Sequence, residues 1–241
     1  MIHLFVPQFL LQGERLSLDS FQVHYLIHVM RLNTGDEIAV FNGKDGLWRA
    51  QLEGRKNRWI LIVFELLLPQ SSDSWAIHLY FSLVKRGSWI LEKGSELGVT
   101  HFHPLLSERS VIRQWNEEKA MKTILEACEQ SGRLTVPQIL PLDHLKNCVS
   151  SIRQPFYVAN ISAENDPFTF SQAPEVLHVF VGPEGGWSEP EKELFQNHKF
   201  CRFINLGDNV LRSETAAVAS IVYLKTLAGC ARRDSNSRHQ D

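Results

Sequence analysis

The sequence lacks a long apolar run and a leader-like start. No stretch of about 18 uninterrupted apolar residues occurs, and a transmembrane helix needs at least that length. The first residues, Met1–Gln12, carry neither a basic segment nor a small-residue cleavage site, so no secretory signal peptide is indicated. These absences predict a cytoplasmic protein that neither spans nor crosses a membrane.

Cysteines are few, and no metal-binding spacing is present. The four cysteines are scattered without a C-x-x-C pair, so neither a disulfide framework nor a zinc knuckle is indicated. His24 and His28 stand four residues apart, and His101 and His103 two apart, but no third ligand accompanies either pair. We expect reduced thiols and no bound metal.

The common phosphate-binding signatures are also missing. The chain has no G-x-x-x-x-G-K-[ST] segment, which would place a lysine on nucleotide phosphates. It has no G-x-G-x-x-G segment for a dinucleotide either. A Rossmann-like nucleotide enzyme therefore ranks low among the candidate functions, and it would be supported only by affinity for NAD or ATP.

Neither basic nor acidic residues are in large excess. The 25 Lys and Arg and the 27 Asp and Glu give a net charge of -2, and no segment stands out as basic. Proteins that coat nucleic acid through bulk electrostatics are usually strongly basic, so that class is disfavoured. RNA binding stays open, because folding can assemble a basic patch from separate segments.

What is present is a soluble chain with two regions of different pattern. Its 241 residues are 44% hydrophobic, enough for a substantial core. Short strand patterns fill residues 1–70, with an N-G-K-D-G hairpin turn at 42–46 and one helical segment at 19–32, which Asp19 or Ser20 could cap. A polar linker at 69–74 separates this small β domain from residues 75–230, and 231–241 form a polar tail that we expect to be frayed.

Strand and helix patterns alternate along the second region. Apolar strand segments at 77–84, 101–106, 156–161, 176–181 and 201–206 alternate with helical segments at 88–98, 116–132, 188–198 and 213–229. Such alternation is typical of a parallel sheet covered by helices. The predicted fold class is therefore α/β, with a small β domain at the amino terminus.

Two loops that follow predicted strands carry the strongest signals. The first reads VFVGPEGGWSEPE over 179–191, where glycines let the backbone approach a flat ligand and Ser188 with Glu191 forms a capping box. The second reads FINLGDNVLRSET over 203–215. Because ligands of parallel sheets bind at the carboxyl ends of strands, we expect the two loops to be neighbours at one site. The alternative for the first loop alone is a tight connection without a ligand.

Arg212 is placed unusually in the second loop. Ser213 is a plausible N-cap, which puts Arg212 just outside a helix amino terminus, where the macrodipole disfavours a cation. Two interpretations stay open. Arg212 either pairs with a carboxylate such as Glu184 or Glu214, or it faces an anion or a developing negative charge.

Together the two loops resemble the RsmE family of the SPOUT superfamily. Further similar stretches are WILEKGSELGVTHFHPLLSERS at 89–110, EACEQSGRLTVPQI at 126–139 and HYLIHVMRLNTGDEIAVFNG at 24–43, so the resemblance covers nearly the whole chain. It implies a methyltransferase that uses S-adenosylmethionine to modify N3 of a uridine in the decoding region of 16S ribosomal RNA in the 30S subunit. It also implies a PUA-like RNA-binding barrel, a catalytic domain with a deep trefoil knot, and a homodimer.

The resemblance also implies a set of site residues. The cofactor pocket would be lined by Val181, Gly182, Glu184, Gly185, Gly186, Leu206, Gly207, Val210 and Leu211, with Arg212 and Thr215 at its edge. Arg212 and Glu184 are the catalytic candidates: Arg212 would stabilise negative charge on the uracil oxygens, and the base is Glu184, Glu214 or a bound water. Before Trp89 this chain has Leu83 and Ser88 where the family often has lysine and an acid; Lys85 and Arg86 are possible substitutes.

Scattered cations are the candidate RNA contacts. They are Arg31, Lys85, Arg86, Lys93, Arg109, Arg113 and Arg133. Solvated surface charge is an equal alternative for any one of them. The competing function from another class is a non-catalytic RNA-binding or ribosome assembly protein that retains the fold.

Overall fold

The computed structural model of the protein describes residues 1–55, 58–72, 75–160, 170 and 173–237. The chain forms two compact units, the first comprising Met1–Ser72 with Leu125–Val136 and the second Asp73–Ile124 with Pro137–Asp241. The second unit contains both loops with the strongest sequence signals, 179–191 and 203–215.

The first unit contains a five-stranded sheet. Its strands are β1 (His3–Phe5), β2 (Arg15–Ser17), β3 (Glu37–Phe41), β4 (Leu47–Arg55) and β5 (Arg58–Leu68), in the order β1-β3-β4-β5-β2. The hairpin between β3 and β4 is confirmed, and the side-chain oxygen of Asn42 accepts hydrogen bonds from the amides of Lys44 and Asp45 in its turn. The strands enclose a core rich in Leu, Ile and Val, including Leu26, Ile38 and Leu61.

The helical segment of the first unit ends in an unusual backbone conformation. It starts as α1 (Ser20–Val23), capped by Asp19 as predicted, and continues as a π-helical segment over His24–Val29. The amide of Leu32 donates to the carbonyl of Leu26 at 2.9 Å, and Arg31 between them has a φ of 58°. Glycine usually occupies this left-handed position at a helix end, because it lacks Cβ.

The second unit is built on a seven-stranded sheet. Its strands are β6 (Ala76–Ser82), β7 (His101–Leu106), β8 (Gln138–Ile139), β9 (Asp143–His144), β10 (Phe156–Ala159), β11 (Val176–Val181) and β12 (Cys201–Ile204). The order is β12-β10-β11-β6-β7-β8, with β9 also paired to β7, and all these pairings are parallel. The predicted parallel α/β sheet is confirmed.

Helices connect these strands. They are α2 (Gly87–Glu96), α3 (Glu117–Ser131), α4 (Leu145–Ser151), α5 (Glu189–Gln196) and α6 (Ser213–Ser237). The expectation of a frayed tail from residue 231 is wrong for 231–237, which continue α6. Ala231 is buried there and Arg232 lies over the Trp75 ring at 5.0 Å, so packing extends the helix into a polar segment. Residues 238–241 lie outside the described part of the chain.

Histidines form a stacked row across the amino-terminal half of the central strands. His178, His78 and His101 are register partners on β11, β6 and β7, and the rings of His78 and His101 stack at 4.1 Å. The Nδ1 atom of His78 lies 2.9 Å from Nε2 of His103, and His178 contacts the Tyr80 hydroxyl at 3.2 Å. Burial, followed by the charges of neighbouring histidines, lowers the pKa of His78 and His103 to about 3 and that of His178 to about 4.

This row predicts an acid-sensitive fold. Above about pH 6.5, the ordinary histidine pKa, both folded and unfolded chains hold these rings neutral, and the stability that the row contributes is fully present. As the pH falls below 6.5 toward 4, only the unfolded chain takes up protons, so the free energy of unfolding decreases. Some of these rings are partly exposed, so we count the uptake of only one proton on unfolding. The free energy of unfolding should then fall by about 1.4 kcal/mol per pH unit.

Urea unfolding between pH 7.5 and 4.5 measures that slope. The His78→Gln variant should lose part of it, whereas replacing His24, which is exposed in the first unit, with asparagine should leave the slope unchanged. A free energy of unfolding that stays constant down to pH 4.5 would contradict the assignment of neutral, buried rings.

Candidate functional site

A cavity of about 240 Å³ lies at the carboxyl ends of β10, β11 and β12. It is lined by the loop that follows β11, by the loop that follows β12, and by Ala159 and Asn160 at the end of β10. The two loops leave strands that are separated by β10, and they meet at one cavity as the sequence predicted. The site therefore occupies the position expected for a ligand in a parallel sheet.

The first loop follows β11 and is closed by a tight turn. The amide of Gly186 donates to the carbonyl of Pro183 at 2.9 Å, and Gly186 has a φ of 67°, which disfavours other residues. At Gly182 a Cβ atom would lie 3.0 Å from Cε2 of the buried Trp187 ring. Close packing on the indole therefore favours glycine at position 182, because the ring would have to shift to admit a Cβ atom.

The first turn of α5 fixes the end of this loop. The predicted capping box is confirmed, since Ser188 Oγ accepts from the amide of Glu191 at 3.4 Å and Glu191 Oε2 accepts from the amide of Ser188 at 2.8 Å. The other carboxylate oxygen of Glu191 accepts from the amide of Glu108 at 2.7 Å. The loop that follows β7 is thereby joined to the start of α5.

The second loop follows β12 and leads into α6. The amide of Gly207, whose φ is 116°, donates to the Asn205 side-chain oxygen at 2.8 Å. The expectation of Ser213 as N-cap is wrong, because α6 begins at Ser213 and the carbonyl of Arg212 already accepts from the amide of Ala216 at 2.8 Å. Arg212 itself occupies the capping position, and its side chain is exposed.

Of the two interpretations left open for Arg212, the structure does not show the pairing with Glu214 or Glu184. The buried carboxylate of Glu214 is bound by Arg86, with Nη1 2.9 Å from Oε1. Burial raises the Glu214 pKa, but the Arg86 hydrogen bond, a backbone hydrogen bond and the charges of Arg86 and Arg212 outweigh it, and the net pKa is lowered. Within the described part of the chain, the Arg212 guanidinium makes no hydrogen bond or ion pair. Glu184 is exposed at the cavity.

Most residues that the resemblance placed in the pocket do line the cavity. They are Val181, Gly182, Glu184, Gly185, Gly186, Leu206, Gly207, Val210 and Leu211. Arg212 and Thr215 are exposed and are not among the lining residues, although Leu211 and Ser213 beside Arg212 are. Sequence reasoning missed other lining residues, which are Ala159, Asn160, Pro183, Trp187, Lys192, Asn209, Ser213 and Ala216.

The candidate RNA contacts are distributed over several surfaces. Arg109 lines the cavity, and its Nη1 donates to the carbonyl of Gly185 at 2.9 Å. Arg86 binds Glu214, and Lys93 pairs with Glu92 and Glu96 on the same helix. The remaining candidates are Lys85 and Arg113, exposed in the second unit, Arg31, exposed in the first, and the half-buried Arg133. Their assignment to RNA stays a prediction.

The cavity is suited to a flat, polar ligand. Two buried polar atoms at its wall, Nε1 of Trp187 and Oγ of Ser213, have no hydrogen-bond partner in the described protein. Buried polar groups are usually paired, so these two atoms are candidate ligand contacts. With the glycine backbone of the first loop beside them, the residues present fit a nucleoside-like group.

Metal-binding clusters and membrane-spanning helices are both absent from the described ranges of the chain. Among the residues described, no group of three or more His, Cys, Asp or Glu side chains is arranged to hold a metal ion. None of the helices found there combines the length and apolar character that crossing a membrane requires.

Comparison with protein families gives two matches. A family model described as an RNA methyltransferase domain matches residues 71–225. A second, described as an RNA methyltransferase PUA domain, matches residues 18–64. The first match contains every residue that lines the cavity.

Individual relatives and solved structures resemble the chain over most of its length. A protein of Rickettsia conorii named ribosomal RNA small subunit methyltransferase E is 30% identical over 213 residues, which are 85% of this chain and 86% of that protein. The enzyme of the same name from Neisseria gonorrhoeae, solved bound to S-adenosyl methionine, has a TM-score of 0.84 and 27% identity, covering 94% of this chain and 98% of its own. A Legionella pneumophila protein solved in complex with the cofactor SAM has a TM-score of 0.82 and 26% identity, covering 93% and 97%.

Proposed function

Because this chain belongs to the RsmE family of ribosomal RNA small subunit methyltransferases, we propose that it methylates N3 of a uridine in the decoding region of 16S rRNA, with S-adenosylmethionine as donor. The observation that carries this proposal is the cavity formed jointly by the two glycine-bearing loops, with two unpaired polar atoms in its wall. Relatives solved with the same donor support it.

The donor supplies an activated methyl group when it is bound. The nine predicted lining residues would hold it, together with two that the structure adds, Trp187 and Ser213. The indole N–H and the serine hydroxyl offer donors that are already desolvated, so binding need not strip water from them. Gly186, at which a Cβ atom would meet nothing within 4 Å, keeps the backbone open to a planar ring.

The substrate sets the remaining requirements. Uridine N3 carries a proton at neutral pH and lies on the pairing edge, so the base must leave its stack and lose that proton. Arg212, exposed beside the cavity wall, would stabilise the negative charge that spreads to the uracil oxygens. Glu184, exposed at the cavity, is the better base candidate, because Arg86 holds Glu214 ionised with a lowered pKa.

RNA would be held by separate parts of the chain. The PUA match assigns residues 18–64 to a domain type found in RNA methyltransferases, and Arg31 is the candidate phosphate contact there. In the second unit the candidates are Lys85, Arg86, Lys93, Arg109 and Arg113. Phosphate contacts of this kind position the substrate and carry no base specificity.

The resemblance adds three features to the proposal. They are a deep trefoil knot in the catalytic domain, a homodimer, and a cytoplasmic location with the 30S subunit as partner. The domain boundaries at 1–70 and 75–230 are part of the same proposal. Size-exclusion chromatography with light scattering tests the dimer separately from the chemistry.

Two measurements test the function. Calorimetry with the full chain should give saturable binding of S-adenosylmethionine, and NAD or ATP should not compete. Purified 30S subunits that lack the modification should accept labelled methyl groups, and mass mapping of the 16S rRNA should place them on N3 of one uridine. RNA binding without methyl transfer would favour a non-catalytic assembly protein, and competition by NAD or ATP would favour a nucleotide enzyme.

A further inference from the structure

The loop that follows β7, residues 107–110, is anchored inside the second unit. Ser107 Oγ donates to Ser82 Oγ at the end of β6 at 2.8 Å, and it lies 2.8 Å from Ser110 Oγ. Ser110 Oγ also accepts from the amide of Ser107 at 3.2 Å. All three serines are buried, with exposures of 5% or less. The loop is therefore a fixed support rather than a free surface turn.

This anchored loop contacts the neighbouring cavity loop at two points. The amide of Glu108 donates to Glu191 Oε1 at 2.7 Å. The Arg109 guanidinium donates to the carbonyl of Gly185 at 2.9 Å. A capping box uses only one oxygen of its carboxylate, and here Oε2 serves that purpose through the amide of Ser188. The bond to Glu108 is thus additional to what the start of α5 requires.

We infer that Glu191 and Arg109 are positioning residues, which hold the glycine loop, residues 182–186, in the conformation that binds the methyl donor. The inference rests on the function proposed above and adds residues that do not need to touch the donor's reacting atoms. A glycine-rich loop has high conformational entropy when unrestrained, and ordering it upon binding weakens affinity. Two charge-assisted hydrogen bonds to a fixed support remove part of that freedom beforehand.

A matched pair of alanine variants separates this role from helix capping. Ser188→Ala removes the capping hydroxyl and leaves both bonds to the 107–110 loop. Glu191→Ala keeps the bond from the residue-191 amide to that hydroxyl, and removes the carboxylate that accepts from the amides of Ser188 and Glu108. Because hydrogen bonds to a charged group are stronger than neutral ones, we expect Glu191→Ala to raise the Kd for S-adenosylmethionine about tenfold or more. The Kd of Ser188→Ala should stay within about twofold of the native value, because only the hydroxyl half of the capping box is lost.

Arg109 provides the second arm of the experiment. Arg109→Ala should raise the Kd and the KM for the donor about tenfold, and Arg109→Lys, which still reaches a carbonyl with one donor, should recover part of it. With the donor saturating, kcat should change much less than KM, which distinguishes positioning from a catalytic role. Thermal unfolding of each variant identifies any loss that comes from folding.

Hydrogen exchange supplies a readout without donor or activity. The amides of Glu108 and Gly186 should exchange faster in Glu191→Ala than in Ser188→Ala. Equal donor affinity in Glu191→Ala and the native protein, or equal losses in both alanine variants, would overturn the inference while leaving the proposed function intact. If the native protein binds no donor, the proposed function fails and this inference falls with it.

Discussion

Replacing Gly182 with valine should abolish measurable binding of S-adenosylmethionine, with the Kd raised at least about 100-fold, because the side chain must displace Trp187. A Cβ atom at this position lies 3.0, 3.2 and 3.3 Å from Cε2, Cδ2 and Nε1 of that indole. Trp187 is buried and packs edge-on against Phe195, with ring centroids 5.0 Å apart, so the indole has little freedom to shift. Calorimetry with the purified variant measures the loss.

Overpacking by Gly182→Val also destabilises the fold by about 1–3 kcal/mol. A control must therefore separate the loss of stability from the loss of donor binding. Gly87→Val is the matched substitution, since a Cβ at Gly87 meets nothing within 4 Å and Gly87 begins α2, outside the cavity. It should retain both stability and donor affinity. Normal donor binding by a folded Gly182→Val variant would show that the donor does not use the first loop.

Replacing Arg212 with alanine should reduce the methylation rate about 10²- to 10³-fold at saturating donor, the loss typical of a removed oxyanion donor. The free energy of unfolding should change little, because the guanidinium is exposed, makes no hydrogen bond or ion pair in the described part of the chain, and is the smallest of the influences that lower the Glu214 pKa. Its position at the amino terminus of α6 is unfavourable for a cation, so its removal should slightly stabilise that helix. Single-turnover methylation of 30S subunits measures the rate.

The Arg212 experiment has two controls. Arg212→Lys keeps a cation and should recover part of the rate, while Arg202→Ala removes an exposed arginine on β12 outside the cavity lining and should have no effect. An unchanged rate in Arg212→Ala would exclude this residue from the chemistry. Glu184 would then be the remaining catalytic candidate at the cavity.

The regular part of the fold could be predicted because its patterns are long. The strand at 176–181 is apolar at every position except His178, and the helix at 117–131 has an amphipathic period, so each pattern specifies its element. Strands of two or three residues, such as Gln138–Ile139, are too short to show a period. The helix Leu145–Ser151 was missed as well, since His144 before it makes no side-chain cap.

The cavity could be predicted only in part, for a reason of topology. Glycine, proline and the capping serine mark the first loop in the sequence, and Gly207 marks the second. Asn160 belongs to the site only because β10 lies between β11 and β12, and strand order cannot be obtained from the order of elements along the chain. The bond from Glu108 to Glu191 joins residues 83 apart in sequence and has no local signal.

The left-handed backbone conformation at Arg31 lowers stability, while the side chain at this position supplies a positive charge. A non-glycine residue in the left-handed region is less stable by roughly 1–2 kcal/mol, and glycine would relieve most of that strain. The substitution Arg31→Gly would therefore stabilise the protein. It would also remove a positive charge from the exposed end of the helical segment. If Arg31 contacts RNA as proposed, a substitution that raises heat resistance at this position would lower RNA affinity.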